Sequence, residues 1–129
     1  RDVYKRQRLA RHLGLWHDPL FVRRFAALSM DLDSHKALYE RFAERLRRGE
    51  SLGPEVSMLK IFQSELFQRI SELGLEVAGE DSALLQPFAE DPELHPAGIF
   101  IQSRPTTIYG GSNEIQRNIL AKSVLGLPG

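Results

Sequence analysis

The sequence predicts an all-α domain, an antiparallel four-helix bundle, on three observations. Residues 18–49 and 54–79 each place apolar side chains at steps of three and four, the spacing of one helix face. Both stretches open on a proline and close on a glycine, which is the asymmetry of helix ends. No stretch alternates apolar and polar residues with the period of two that marks a half-buried strand. Of the 129 residues, 42% are hydrophobic and 26% charged, the composition of one ordinary globular domain.

Asp2-Val3-Tyr4-Lys5-Arg6-Gln7 reads as one translation frame of a transposon adaptor used in preparing sequencing libraries. Residues 1–7 are therefore set aside, and the domain is expected over residues 8–129, with further chain upstream of Arg8. The first helix is expected over residues 18–49, with Asp18 as N-cap, Pro19 at the first helical position and Gly49 as the stop. Its apolar seam runs Phe21, Phe25, Leu28, Leu32, His35, Tyr39, Phe42 and Leu46, in steps of four and three that suit a near-parallel neighbour. His35 reads as a core or half-buried histidine bonded to a neighbour, because no second ligand stands at metal spacing.

Pro54 opens a second helix that ends near Gly79, with Val56, Leu59, Phe62, Leu66, Ile70, Leu73 and Val77 along its seam. Met58, Ile61 and Phe67 widen the stripe, which predicts a central helix with more than one neighbour. Residues 79–96 carry Pro87, Pro92, Pro96 and five acidic residues, and read as a surface excursion with at most a helical turn around residues 83–88. A short helix is expected at residues 97–104, ended or bent by Pro105, and residues 106–109 read as extended. Gly110 and Gly111 then make a tight turn into Ser112 or Asn113 as N-cap. The last helix follows from Glu114 to about Leu125, with Ile115, Ile119 and Leu120 inward and Gly126 and Pro128 at its end.

Charge and composition exclude several functions. Lys plus Arg equals Asp plus Glu at 17 each, so no net field recommends nucleic acid or an anionic membrane as partner. The absence of cysteine excludes a disulfide framework, a thiol nucleophile and a Cys-ligated metal, and suits a reducing compartment, with the cytoplasm expected. No apolar run approaches the roughly 20 residues of a membrane span.

The chemistry is concentrated in residues 106–117. A glycine pair ahead of a capped helix N-terminus leaves backbone N–H groups free to meet an anion, a carbonyl or a cofactor edge. Glu114 lies in the first turn, where the helix dipole favours a carboxylate. Any tight loop and cap would also use Gly-Gly-Ser-Asn, so the pattern alone leaves a binding site and a plain turn both open.

Thr106-Thr107-Ile108-Tyr109-Gly110-Gly111-Ser112-Asn113-Glu114-Ile115-Gln116-Arg117, with Ile119-Leu120-Ala121-Lys122 and Val124-Leu125-Gly126-Leu127-Pro128, closely resembles the C-terminal signature of acyl-CoA dehydrogenases. The Pro54-Glu55 helix start, Ser57-Met58-Leu59-Lys60 and Glu65-Leu66 extend the resemblance to the family's helical domain, over about residues 11–128. It implies an N-terminal helical and a middle β domain upstream, assembly as a homo-tetramer or a hetero-tetramer with a paralogue, and FAD held between domains and subunits. The implied reaction removes an α-proton and a β-hydride from an acyl-CoA to give a trans-2-enoyl-CoA, with electrons passing to an electron-transfer flavoprotein. The resemblance assigns a backbone N–H at Gly110 to the thioester oxygen, and Gly110, Gly111, Ser112 and Glu114 to the flavin's surroundings, with Ser112 in the place of a threonine.

The chain departs from that pattern in three places. Gly110 stands where the best-known members carry the glutamate base, so no catalytic residue is assigned here and a base is looked for on an earlier helix, before Arg8. The family's cross-subunit flavin contact maps onto Glu76, Gly79 and Glu80, of which Gly79 alone matches, and the two glutamates are expected to bring negative charge toward an anionic cofactor. No arginine and glycine flavin-phosphate motif precedes the first long helix, where His17-Asp18-Pro19 stands. Two readings follow from the resemblance: the tail of an active dehydrogenase, inactive by itself, or a non-catalytic partner subunit. In either, a bundle cut from its neighbours is expected to self-associate.

Overall fold

The computed structural model describes residues 10–11, 13–83, 86–87 and 95–128. Four α-helices lie entirely among these residues: α1 (Pro19–Arg47), α2 (Ser57–Ala78), α3 (Pro96–Ser103) and α4 (Asn113–Ser123). Short 3-10 turns at Leu15–His17 and Pro54–Val56 lead into α1 and α2, and others at Gly79–Ala83 and Arg104–Thr107 follow α2 and α3. No strand occurs among the described residues, so the all-α bundle expected from periodicity is what forms. Residues 1–7, and part of the turn expected at residues 83–88, lie outside the described residues.

The ends of α1 follow from its sequence. Asp18 Oδ1 accepts the N–H of Leu20 at 2.9 Å, Pro19 fills the first helical position, and Gly49 leaves the helix with φ 78°. Helix α2 then runs back along α1, and three ion pairs fix the register: Arg24 with Glu76, Asp31 with Arg69, and Arg45 with Glu55. Each step forward along α1 is matched by an equal step back toward the start of α2, as an antiparallel pair requires. These pairs are partly exposed and screened by solvent, so the hydrophobic contacts carry the packing. Phe21, Phe25, Leu73 and Ala10 form the core cluster, flanked by Leu15, Leu28 and Val77. The Trp16 ring meets Phe21 and Phe25 edge-on at 5.5 and 5.2 Å.

The seam read along α1 is only partly inward. Phe21, Leu28, His35 and Phe42 stay buried or half-buried along its length. The companion row of Phe25, Leu32, Tyr39 and Leu46 turns outward, leaving Tyr39 56% and Leu46 55% exposed. A straight α-helix drifts about 20° per heptad against a seven-residue repeat, so a helix resting on one neighbour cannot keep both rows inward over its whole length. His35 also departs from expectation. It packs edge-on against Phe62, with centroids 5.4 Å apart, and its Nε2 finds no hydrogen-bond partner among the described residues, because α2 presents a ring at that level.

Helix α2 is central, touching α1 on one side and α3, α4 and the turn between them on the other. That second side is lined by small residues. Ser57, Ser64, Ser71 and Ala78 recur at every seventh position and are all buried, which lets the chain after Pro96 come close. Residues 106–109 are not extended: Arg104–Thr107 forms a 3-10 turn, and residues 108–110 turn again. Pro105 favours this outcome, since its fixed φ and missing N–H suit the start of a helical turn, and its carbonyl accepts the N–H groups of Ile108 and Tyr109. Ile115, expected inward, is 54% exposed, while Ile119 and Leu120 are half-buried. Asn113 takes the inward place at the start of α4 instead. Phe25→Ala is expected to destabilise the chain by about 3 kcal/mol in urea unfolding. Tyr39→Ala should change it by no more than about 0.5 kcal/mol.

Candidate functional site

The loop at residues 108–112 hangs between two tethers, both anchored on α2. On the first flank, the Gln68 amide donates to the carbonyls of Ser103 and Arg104 and to Thr107 Oγ1, at 3.2 to 3.3 Å. Beside it the fully buried Ser71 and Ser103 hydroxyls meet at 2.8 Å. Arg104 closes this cluster: Nη1 donates to Glu72 at 2.9 Å, Nη2 donates to Ser103 Oγ at 2.9 Å, and its plane covers the Phe100 ring at 4.2 Å. Buried polar groups that satisfy one another in this way set a single arrangement of α3 on α2.

On the second flank, α4 starts with its N-cap in place. Ser112 Oγ accepts the N–H of Ile115 at 3.4 Å, so Ser112 is the N-cap. Asn113 is turned away from the cap and into α2. Its Oδ1 accepts Lys60 Nζ at 2.7 Å, and its Nδ2 donates to Ser64 Oγ at 3.0 Å and Glu65 Oε1 at 3.2 Å. Glu65 also pairs with Arg117, one turn further along α4.

Between the tethers, Gly110 and Gly111 hold φ of 69° and 89°. A side chain would be strained at both, and at Gly111 an added Cβ would stand 2.8 Å from Gln116 Nε2. Gln116 Nε2 donates to the Gly110 carbonyl at 3.3 Å and holds it back. Among the described residues, neither the Gly110 nor the Gly111 N–H meets an acceptor within hydrogen-bonding distance. The space over Gly110 is open, with nothing within 4 Å of where a Cβ would point. Gly110 forms the lip of a cavity of about 210 Å³, with Lys60, Gln63, Ser64 and Phe67 of α2 and Thr106 and Tyr109 across it. Two free N–H donors beside a half-buried ammonium suit an acceptor oxygen or an anionic edge.

Four of the residues singled out in the sequence, Gly110, Gly111, Ser112 and Glu114, therefore come together. The Glu114 carboxyl is held below the usual carboxylate range, first by its own backbone N–H and the Ser112 hydroxyl, then by Arg117 and Lys60. Gly79 is not brought to this loop. It ends α2 with φ 55°, and 1.5 Å per residue puts it about 22 Å along the axis from Ser64. Near it, the free negative charge expected at Glu76 is absent. Arg24 pairs with that carboxylate and lowers its pKa, while Glu80 stays exposed. Lys60, Gln68, Arg104 and Asn113 had not been singled out for the site. The signal available for them was a break in the apolar stripe of α2 at Lys60, Ser64 and Ser71.

Residues 3–125 match the sequence profile of the family described as acyl-CoA dehydrogenase, C-terminal domain. The chain is 32% identical, over 120 residues, to "Acyl-CoA dehydrogenase IpdE1" of Mycolicibacterium smegmatis, covering 93% of this chain and 29% of that protein. It is 42% identical, over 69 residues, to the protein of the same name from Mycobacterium tuberculosis, covering 54% of this chain and 17% of that one. The chain thus spans less than a third of these relatives' length. No solved structure matches it significantly.

Arg104→Met should destabilise the chain by about 2 kcal/mol in urea unfolding, because charge-assisted bonds to Glu72 and Ser103 are lost. Arg104→Lys should recover little, since an ammonium has neither the planar fork that reaches Glu72 and Ser103 from separate nitrogens nor the face that stacks on Phe100. For Glu114 the sign follows from its lowered pKa. The stabilisation is present above the unfolded value of about 4.3 and is lost as pH falls through the folded value. The wild-type advantage in thermal midpoint over Glu114→Gln is therefore expected at pH 6 and should shrink toward zero by pH 3.

Proposed function

The chain belongs to the acyl-CoA dehydrogenase family, as its C-terminal domain, and on that premise we propose that it serves an FAD-dependent oxidation of an acyl-CoA to a trans-2-enoyl-CoA. The observation that carries this reading is the Gly110-Gly111-Ser112 loop: unpaired N–H groups, open space above Gly110 and a hydroxyl at a helix N-terminus, all tied to α2. These features fit an acceptor-rich ligand edge. FAD, when bound, would supply the hydride acceptor. The Gly110 N–H would donate to the thioester oxygen and stabilise the charge that gathers there as the α-proton leaves. Gly111 would allow close approach, and Ser112 and Glu114 would border the flavin. At the other end of α2, Gly79 would meet the flavin of a partner subunit, with Arg24 cancelling the charge of Glu76.

The base would come from the chain upstream of Arg8, because Gly110 carries no carboxylate. Electrons would leave to an electron-transfer flavoprotein, in the cytoplasm. No helix among the described residues is long and apolar enough to cross a membrane. Leu20, Met30 and Tyr39 on α1, and Ile115 on α4, expose apolar surface that supports a tetramer contact. A second reading, a non-catalytic subunit paired with a paralogue, is favoured by one observation: no acidic residue lines the cavity beside Gly110.

The test is to purify the protein encoded with its upstream sequence. Bound FAD that bleaches when acyl-CoA is added without oxygen supports the first reading, and bound FAD that never bleaches supports the second. A protein that holds no flavin contradicts the first reading, and one that still holds none in the presence of its paralogue contradicts both. Ser112→Ala is expected to weaken FAD binding about tenfold, equivalent to about 1.4 kcal/mol. The 129-residue chain by itself should neither turn over acyl-CoA nor sediment as a monomer at micromolar concentration.

A further inference from the structure

Asn113 is 2% exposed at the first position of a helix, a place where asparagine ordinarily faces water. Its burial is possible because every polar atom of the carboxamide has a partner. The Ser64 hydroxyl proton goes to the Lys60 carbonyl at 2.8 Å, which leaves Ser64 Oγ free to accept from Asn113 Nδ2. Lys60 then serves the carboxamide oxygen and Glu65 its second N–H. Only a group with an acceptor and a donor side by side satisfies an ammonium on one side and a carboxylate on the other. An aspartate would face Glu65 with like charge, and an apolar residue would strand Lys60 and Glu65.

Apart from the Gln116 bond to the Gly110 carbonyl, the loop has little else to hold it. Ile108, Tyr109 and Gly110 are exposed and bury no side chain of their own. The attitude of Gly110 and Ser112 is thus set by their two flanks, and Gln68 fixes only the first. We propose that Asn113 is the positioning residue of this site: seated among Lys60, Ser64 and Glu65, it holds the Gly110 N–H and the Ser112 hydroxyl at a single orientation over the cavity. Because Lys60 also lines that cavity, the same ammonium links the tether to the binding space. The proposal rests on the flavin reading for its purpose, whereas its test involves no flavin.

The test is backbone 15N relaxation on the 129-residue chain, with thermal unfolding measured alongside. In the wild type, residues 110–112 are expected to be as rigid as the helices, with order parameters of about 0.85. In Asn113→Ala these should fall below about 0.6 while values in α1 stay unchanged. Lys60→Met removes the same bond from the α2 side and should give the same local loosening, which keeps the test available if Asn113→Ala does not fold. The double variant Asn113→Asp with Glu65→Gln exchanges the acid and the amide, and should restore both rigidity and thermal midpoint where Asn113→Asp alone does not. Order parameters at residues 110–112 that stay at wild-type values in both Asn113→Ala and Lys60→Met would overturn the proposal. So would a loss spread equally over α1.

Discussion

Everything that bears on function here depends on how close the second half of the chain can come to α2. The row of Ser57, Ser64, Ser71 and Ala78 removes bulk from one side of that helix, and the hydroxyls replace it with hydrogen-bonding capacity. The backbone of α3 and the start of α4 settle against this row, and their own polar groups supply its partners. A continuous stripe of leucines would hold the chain further off and leave nothing to specify its register. The cost of burying Ser71, Ser103 and Asn113 is offset because each is paired, and pairing admits one arrangement where apolar packing alone tolerates several.

The opposite side of α2 works by the more familiar rule. Aromatic and aliphatic side chains from α1 fill the ends of the interface, and ion pairs at matched steps keep the two helices in register. This division of labour gives the domain a central spine whose two ends carry the residues on which the proposed function rests. One end carries the Gly110 loop over its cavity. The other carries Gly79, about 22 Å along the helix axis from Ser64, in a setting where Arg24 is paired with the Glu76 carboxylate. On the proposed reading the two ends serve different flavins, so a single chain has no need to bring them together.

The sequence made the helices legible because their boundaries are written in short-range chemistry: Asp18-Pro19, Gly49, Gly79, Ser112 and Gly126 each act within a turn of their position. It made the Gly110 loop legible as well, since positive φ and a helix cap leave a local signature. Residues 106–109 were misread as extended because Thr, Ile and Tyr favour strands in isolation, whereas here Pro105 and the Gln68 amide close a helical turn. Tyr39 and Leu46 were misread because the seam assumed neighbours along the whole of α1. Lys60, Gln68, Arg104 and Asn113 were missed for a deeper reason. Each acts on a partner more than 30 residues away in the chain, and a polar residue in an apolar stripe does not reveal which distant group will satisfy it.

The central claim is that the Gly110 loop is the ligand-facing wall of a flavin-dependent acyl-CoA oxidation. Its most direct test is a structure of the whole protein with FAD and an unreactive CoA thioester bound. The account predicts the thioester oxygen at about 3 Å from the Gly110 nitrogen, with the flavin ring beside the Ser112 hydroxyl. A thioester or flavin bound away from residues 110–114, with the Gly110 N–H facing solvent, would contradict it.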